Sequence, residues 1–169
     1  VMGFRREDAA DRGKGHTVVR KAFDWAEERD GTEQDLVGAW RESAAFVPEL
    51  SLVAELDGEI VGYILFTKIR IGDGVELALA PLAVVPECQR RGIGTALIKE
   101  GHRIAAEMGF RYSVVLGSER YYPKAGYLPA ARFGIRAPFD VPDKNYMAAS
   151  LTGEDTLLNG VVEYAEEFG

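Results

Sequence analysis

Sulfur and imidazole are scarce in this 169-residue chain: Cys88 is the single thiol, and His16 and His102 are the only imidazoles. One thiol cannot close an intramolecular disulfide, and it excludes a cysteine-rich zinc centre. No metal ligand set is assigned. Long apolar runs are missing as well. The longest, near residues 77–86, falls far short of the roughly 20 residues that a membrane helix needs. Positive charge is in deficit, with 20 Lys and Arg against 27 Asp and Glu and a formal net charge of −7. A surface of that sign argues against broad nucleic-acid or membrane binding, which draws on attraction to phosphate. Residues 1–12 are polar and charged and lack the apolar core of a secretory leader. These absences predict a cytoplasmic protein with neither nucleic acid nor membrane as partner.

The apolar fraction of 47% is ordinary for a globular protein with a sizeable core, and the length predicts one domain spanning residues 1–169. Apolar residues at helical spacing predict helices over residues 17–28 and 32–43, the second carrying Trp40 on its apolar side. At residue 50 the period changes to two. Leu52, Ala54 and Leu56 alternate with Ser51, Val53 and Glu55, and Asp57-Gly58 supplies a tight hairpin turn. A second strand over 59–69 and a third over 75–85 follow, the third containing Pro81. Proline cannot donate to a ladder, so a bulge or local splay is expected there. Residues 94–108 predict the clearest helix, with Leu97, Ile98, Ile104, Ala105 and Met108 as its buried stripe. A short strand at 112–116, a short helix within 120–125, a strand at 145–151 and a last short strand through 161–164 complete the order. The central strand–helix–strand unit requires parallel strands with a right-handed crossover. The fold class expected is α/β, a mixed sheet with helices on both faces.

Most functional information lies in residues 82–95. A β-branched run ends at Pro86, two arginines and the spacing Gly92-Ile93-Gly94 follow, and an amphipathic helix starts. Such a turn offers free backbone N–H groups to an anion, with the positive helix end behind them. Without side chains at 92 and 94, a diphosphate can approach the amides near Arg91, Gly92, Gly94 and Thr95, while Arg90 or Arg91 adds a salt link and Thr95 a hydroxyl. A dinucleotide-binding loop fits worse: position 97 is Leu where a third glycine is wanted, and the loop follows three strands instead of one. A Walker loop is absent. Glycines serving only a turn remain the plain alternative.

The run Gln89-Arg90-Arg91-Gly92-Ile93-Gly94 resembles the pyrophosphate loop of the GCN5-related N-acetyltransferases, Gln/Arg-x-x-Gly-x-Gly/Ala. Tyr121-Tyr122-Pro123-Lys124-Ala125-Gly126-Tyr127 is similar to that family's distal Tyr-x-x-x-Gly-Phe/Tyr block. The resemblance extends from the first helix to about residue 151. Within the family, Leu82-Ala83-Val84, the Val-Leu-Gly at 115–117 and the paired tyrosines resemble the YhbS-like predicted N-acetyltransferases. It implies a centrally splayed sheet and acetyl-coenzyme A lying where two parallel strands diverge. Main-chain groups of Leu82, Ala83 and Val84 would then hold the pantetheine arm. Gln89, Arg90, Arg91, Gly92, Ile93, Gly94 and Thr95 would form the phosphate site, and residues 112–116 the partner strand.

Acyl transfer from a thioester to a primary amine needs a proton acceptor for the amine, a donor for the developing oxyanion and a proton for the departing thiolate. The Val84 N–H is the candidate oxyanion donor. Tyr122 occupies the position of the family's catalytic tyrosine and is the candidate acid, with Tyr121 the alternative if the helix phase shifts. Their plain role is aromatic packing. Glu55 is the candidate base, directly or through water, although a solvated hairpin face describes it equally well. Glu76, eight residues from Val84 along an extended strand, would be roughly 26 Å away. His102 is expected on the solvent side of its helix. Cys88 sits in the phosphate loop, far from the thioester, so direct transfer is expected and not a ping-pong route. The acceptor, a small-molecule or peptide amine, is expected to enter between the first two helices, the turn at 72–74 and residues 132–144. A non-catalytic acyl-coenzyme A sensor on the same fold is the alternative function. An unpaired terminal strand would allow a homodimer.

Overall fold

The computed structural model describes residues 2–8, 11, 43–153 and 157–164. The helices expected at 17–28 and 32–43, with Trp25, Trp40 and His16, lie outside the described residues apart from Ser43, which sits in a bend.

The described residues build a nine-stranded sheet. Strands β1 (Met2–Arg6), β2 (Phe46–Leu56), β3 (Glu59–Ile71) and β4 (Gly74–Val84) form an antiparallel meander. Asp57 and Gly58 both adopt positive φ, which matches the right-handed twist of a two-residue hairpin and explains why Leu56 pairs directly with Glu59. Helix α1 (Ile93–Glu107) then crosses to β5 (Tyr112–Leu116), which runs parallel to β4. The short strands β6 (Leu128–Pro129) and β7 (Ile135–Arg136), then β8 (Tyr146–Ser150) and β9 (Gly160–Glu163), complete the order β1-β2-β3-β4-β5-β8-β6, with β9 pairing both β3 and β7.

Several elements and boundaries differ from the sequence reading, and three of them shape the frame of the site. Strand β1 was not expected, because its five residues mix Met2 and Phe4 with charge; both pack against the core once β2 supplies the neighbouring ladder. Strand β2 begins four residues earlier than expected and includes Pro48, which is exposed at a point where the β2–β3 ladder is irregular. Helix α1 starts one residue earlier, at Ile93. The expected bulge at Pro81 is present: Ile64 pairs with Leu82 and Phe66 with Leu79, so β4 carries one extra residue around Ala80 and Pro81.

Two cores cover the two faces. One packs α1 through Ile93, Leu97, Ile98 and Ala105 against β2, β3 and β4. The other, with no α1 residue, gathers Tyr112, Val114, Phe133, Tyr146 and Val162 on the opposite face. The crossover end is locked by Glu76, 1% exposed. Its carboxylate accepts from the backbone N–H groups of Arg111 and Tyr112 (2.9 and 3.2 Å) and from the Arg111 guanidinium (2.8 and 3.0 Å). At the opposite edge, Arg5 bridges Glu55 on β2 and the buried Asp11, and its guanidinium holds the Asp11 carboxyl well below the usual carboxylate range.

Replacing Glu76 by Ala strands the buried Tyr112 amide and the half-buried Arg111 amide and frees the Arg111 guanidinium, so the expected cost is about 3 kcal/mol or more. Thermal unfolding followed by circular dichroism is expected to show a midpoint several degrees lower. An unchanged midpoint would remove Glu76 from the framework.

Candidate active site

The parallel contact between β4 and β5 is short. It is confined to Leu77 with Ser113 and Ala78 with Val114, after which the strands part. From Leu79 to Val84, β4 is therefore paired on its β3 side only. Antiparallel ladders alternate between residues that exchange both hydrogen bonds and residues whose groups point outward. The Val85 N–H donates to Val61 O at 2.9 Å, which makes Val84 and Gly62 a non-bonded pair and Ala83 and Tyr63 a bonded one. Consequently the main-chain groups of Leu82 and Val84 point into the wedge between β4 and β5. Those of Ala83 are consumed by β3, and its side chain is buried. Of residues 82–84, expected to act as one set, only Leu82 and Val84 turn main-chain groups toward the wedge.

The Val84 carbonyl does not stay free. The Gln89 side-chain amide donates to it at 2.9 Å, tying the loop back onto β4. The Val84 N–H faces the gap that β5 has vacated. The loop itself passes through a short 3-10 turn (Pro86–Cys88), and then Arg90 and Gly92 adopt positive φ of 66° and 80°. Gly92 is the N-cap of α1 and no side chain caps the helix. Ala96 N–H is the first to find its helical partner, Gly92 O at 3.0 Å. The N–H groups of Ile93, Gly94 and Thr95 thus remain orphan donors at the positive end of a 15-residue helix.

These groups line one cavity of about 630 Å³ together with Arg90, Cys88, Tyr121, Tyr122 and Lys124. Gln89 and Ile93 also line it, the first bonded to β4 and the second with a buried side chain, so Ile93 contributes main chain only. Arg91 is exposed and lies outside the lining. Of the two arginines considered for the salt link, Arg90 is the one at the cavity. Arg90 and Lys124 form no ion pair among the described residues, so an acidic protein has a locally positive pocket.

Tyr121 is the N-cap and Tyr122 the first residue of the short helix Tyr122–Ala125, with Pro123 in its first turn. The two tyrosine rings are perpendicular, with centroids 5.1 Å apart. Tyr121 reaches over α1 until its hydroxyl fills the place a Cβ on Gly94 would take. Gly94 therefore serves Tyr121 as well as any anion. Tyr122 lies flat where a side chain on Gly117, just past β5, would be, and meets Tyr127 edge-on at 5.7 Å. Its hydroxyl has no partner among the described residues. Burial, helped by Tyr121, pushes the phenol up to about 12.

Behind Tyr122 runs a buried polar chain: the Tyr127 hydroxyl meets Ser113 Oγ at 2.7 Å and His102 Nε2 at 3.0 Å. His102, expected on the solvent side, is instead packed between Phe66 and Tyr127, and burial lowers its imidazole to about 4. Glu55 is not in the cavity. Its carboxylate accepts from Arg5 Nε at 2.7 Å and again from the guanidinium tip. Both bonds fall on Oε1 and hold the carboxylate outside the cavity lining, so the geometry gives the expected base role no support. Lys124 was missed in the sequence; the signal available was its sharing one short helix with Tyr122.

The model of the acetyltransferase (GNAT) family matches residues 30–127. The chain is 34% identical over 171 residues to the uncharacterized N-acetyltransferase YjhQ of Escherichia coli K12, covering 96% of this chain and 92% of that protein. A GNAT-family acetyltransferase from Brucella melitensis, crystallised with acetyl-CoA, matches with a TM-score of 0.83 and 30% identity over 100% of this chain and 99% of that one. YhbS from E. coli, crystallised with CoA, matches with a TM-score of 0.87 and 28% identity over 99% and 91%.

Because Tyr122 fills the space beside Gly117, Gly117→Ala is expected to overpack the site at a cost of about 1–3 kcal/mol. A lowered unfolding midpoint with an altered near-ultraviolet tyrosine signal checks this. A silent substitution would show that the ring is not held there.

Proposed function

The chain belongs to the GNAT family of acetyltransferases, and on that premise we propose that it transfers an acetyl group from acetyl-CoA directly to a primary amine. The reading rests above all on the outward-facing main chain of Leu82 and Val84 beside an uncapped helix N-terminus. The crystallised relatives with acetyl-CoA and CoA support the same cofactor here. Orphan amides of Ile93, Gly94 and Thr95, with Arg90, hold the diphosphate; each such charge-assisted bond contributes about 1.5–3 kcal/mol. Leu82 and Val84 take the pantetheine arm as a replacement strand in the wedge.

The thioester supplies an activated acyl carbon. The Val84 N–H donates to the carbonyl oxygen as negative charge develops on it, and a fixed main-chain donor needs no reorganisation to do so. The amine nitrogen bonds the acyl carbon, the carbon–sulfur bond breaks, and Tyr122 gives its proton to the departing thiolate. Water accepts the proton lost by the amine, so no base side chain is required. A phenol held near 12 stays protonated at neutral pH, which suits an acid and excludes a resting tyrosinate. A thiolate forming in the same desolvated cavity is also made more basic, which narrows the gap between the two groups.

Calorimetric titration with acetyl-CoA, followed by a thiol-release assay over an amine panel, tests the reading. Tyr122→Phe is expected to lower kcat about 10²-fold or more while leaving acetyl-CoA binding intact. A silent Tyr122→Phe would remove Tyr122 as the acid, whereas binding without thiol release for any amine would favour the acyl-CoA sensor. The rate profile of the active enzyme is expected to show no loss from Tyr122 ionisation below about pH 11. Cys88→Ser is expected to turn over at nearly the original rate, since the thiol lies at the phosphate end of the cavity. Complete loss there would replace direct transfer with an acyl-cysteine route.

A further inference from the structure

On the face opposite α1, a second cavity of about 240 Å³ opens at the start of β8, walled by Phe139 and Tyr146 and bordered by Arg136, Asp140 and Asp143. The walls are fixed: the rings meet edge-on at 5.9 Å, and the Tyr146 hydroxyl hydrogen-bonds that of Tyr164 at 2.8 Å. Arg136, Asp140 and Asp143 border the same cavity, yet they pair neither with one another nor with any other described residue. Unneutralised charges of both signs around an aromatic-walled hollow suit a small ligand that itself carries both signs.

The register places this cavity beside the wedge. Tyr146 pairs with Leu116 at the end of β5, one strand spacing (~5 Å) away. Leu116 continues the row of Tyr112 and Val114, both buried, but is itself 50% exposed although β5 lies inside the sheet. The bare leucine forms an apolar track between the point where β4 and β5 part and the mouth of the cavity.

We propose that this cavity anchors the far end of the acceptor, and that the acceptor is a zwitterionic α-amino acid with a distal primary amine. Arg136 holds its carboxylate, Asp140 and Asp143 its ammonium, and the aliphatic spacer crosses Leu116 into the wedge. This rests on the acetyl-transfer reading and adds the acceptor class to it. The distal nitrogen, entering as the neutral amine after releasing its ammonium proton to water, forms the amide bond as the carbon–sulfur bond breaks; it then loses one further proton to water, the thiolate receives the proton of Tyr122, and water reprotonates the tyrosinate.

Four acceptors with the same reacting end test the head group: L-lysine, 1,5-diaminopentane, 6-aminohexanoate and n-pentylamine. With the full chain and acetyl-CoA, L-lysine is expected to exceed each analogue that keeps only one head-group charge, 1,5-diaminopentane and 6-aminohexanoate, in kcat/KM by about tenfold, mainly through KM, and n-pentylamine to be poorest. Mass spectrometry is expected to place the acetyl group on the distal nitrogen. Arg136→Met is expected to erase the advantage over 1,5-diaminopentane, and Asp140→Asn with Asp143→Asn the advantage over 6-aminohexanoate, with KM for acetyl-CoA unchanged. Equal kcat/KM for all four, or variants that leave the ranking intact, would overturn the proposal while leaving acetyl transfer standing. If no acceptor releases thiol, calorimetry with L-lysine decides: binding lost in Arg136→Met upholds an amino-acid site without the enzyme reading, and no binding to the wild-type chain overturns it.

Discussion

The separation of β4 from β5 after Ala78 is the constraint from which the rest of the site follows. A central strand left without a partner on one side exposes peptide groups that cannot stay unsatisfied at low cost in a protein interior. Here the exposed groups belong to Leu82 and Val84, and the antiparallel ladder with β3 decides that they, not Ala83, face the gap. The extra residue at Ala80 and Pro81 stands just upstream, where regular pairing already fails. A ligand rich in amides along its length, as a pantetheine arm is, restores a strand-like partner.

The surroundings hold that gap open. Glu76 fixes the crossover end, where β4 and β5 still pair, by gathering the Arg111 and Tyr112 amides. Gln89 ties the loop to Val84, so the helix N-terminus cannot drift from the wedge. Tyr121 and Tyr122 close the far wall, one over Gly94 and the other over Gly117. The Ser113–Tyr127–His102 chain, unused by the proposed chemistry, braces the ring against which Tyr122 rests.

What could be read from the chain alone was what local chemistry decides. Asp57-Gly58 announces a two-residue hairpin through its tolerance of positive φ, Pro81 announces a break through its missing N–H, and Gly92 with Gly94 announces an uncovered helix start. Strand β5 was legible to the residue because its four apolar and aromatic positions, interrupted only by Ser113, lie between polar breaks. What was not legible depends on partners distant in sequence. The division of labour between Ala83 and its neighbours follows from the β3 register. Arg5 reaches Glu55 only because β1 pairs with β2, 50 residues away. His102 is half-buried because Tyr127 comes from beyond β5, and the spacing within its own helix carries no trace of that contact.

The central claim is that main-chain nitrogens on two elements grip the cofactor, and a two-dimensional ¹H–¹⁵N spectrum recorded during titration with CoA tests it residue by residue. The account predicts saturable shifts at the amides of Leu82, Val84, Ile93, Gly94 and Thr95, with Ala83 far less affected. Shifts confined to other parts of the sheet, or an Ala83 amide moving as much as those on either side of it, would contradict it.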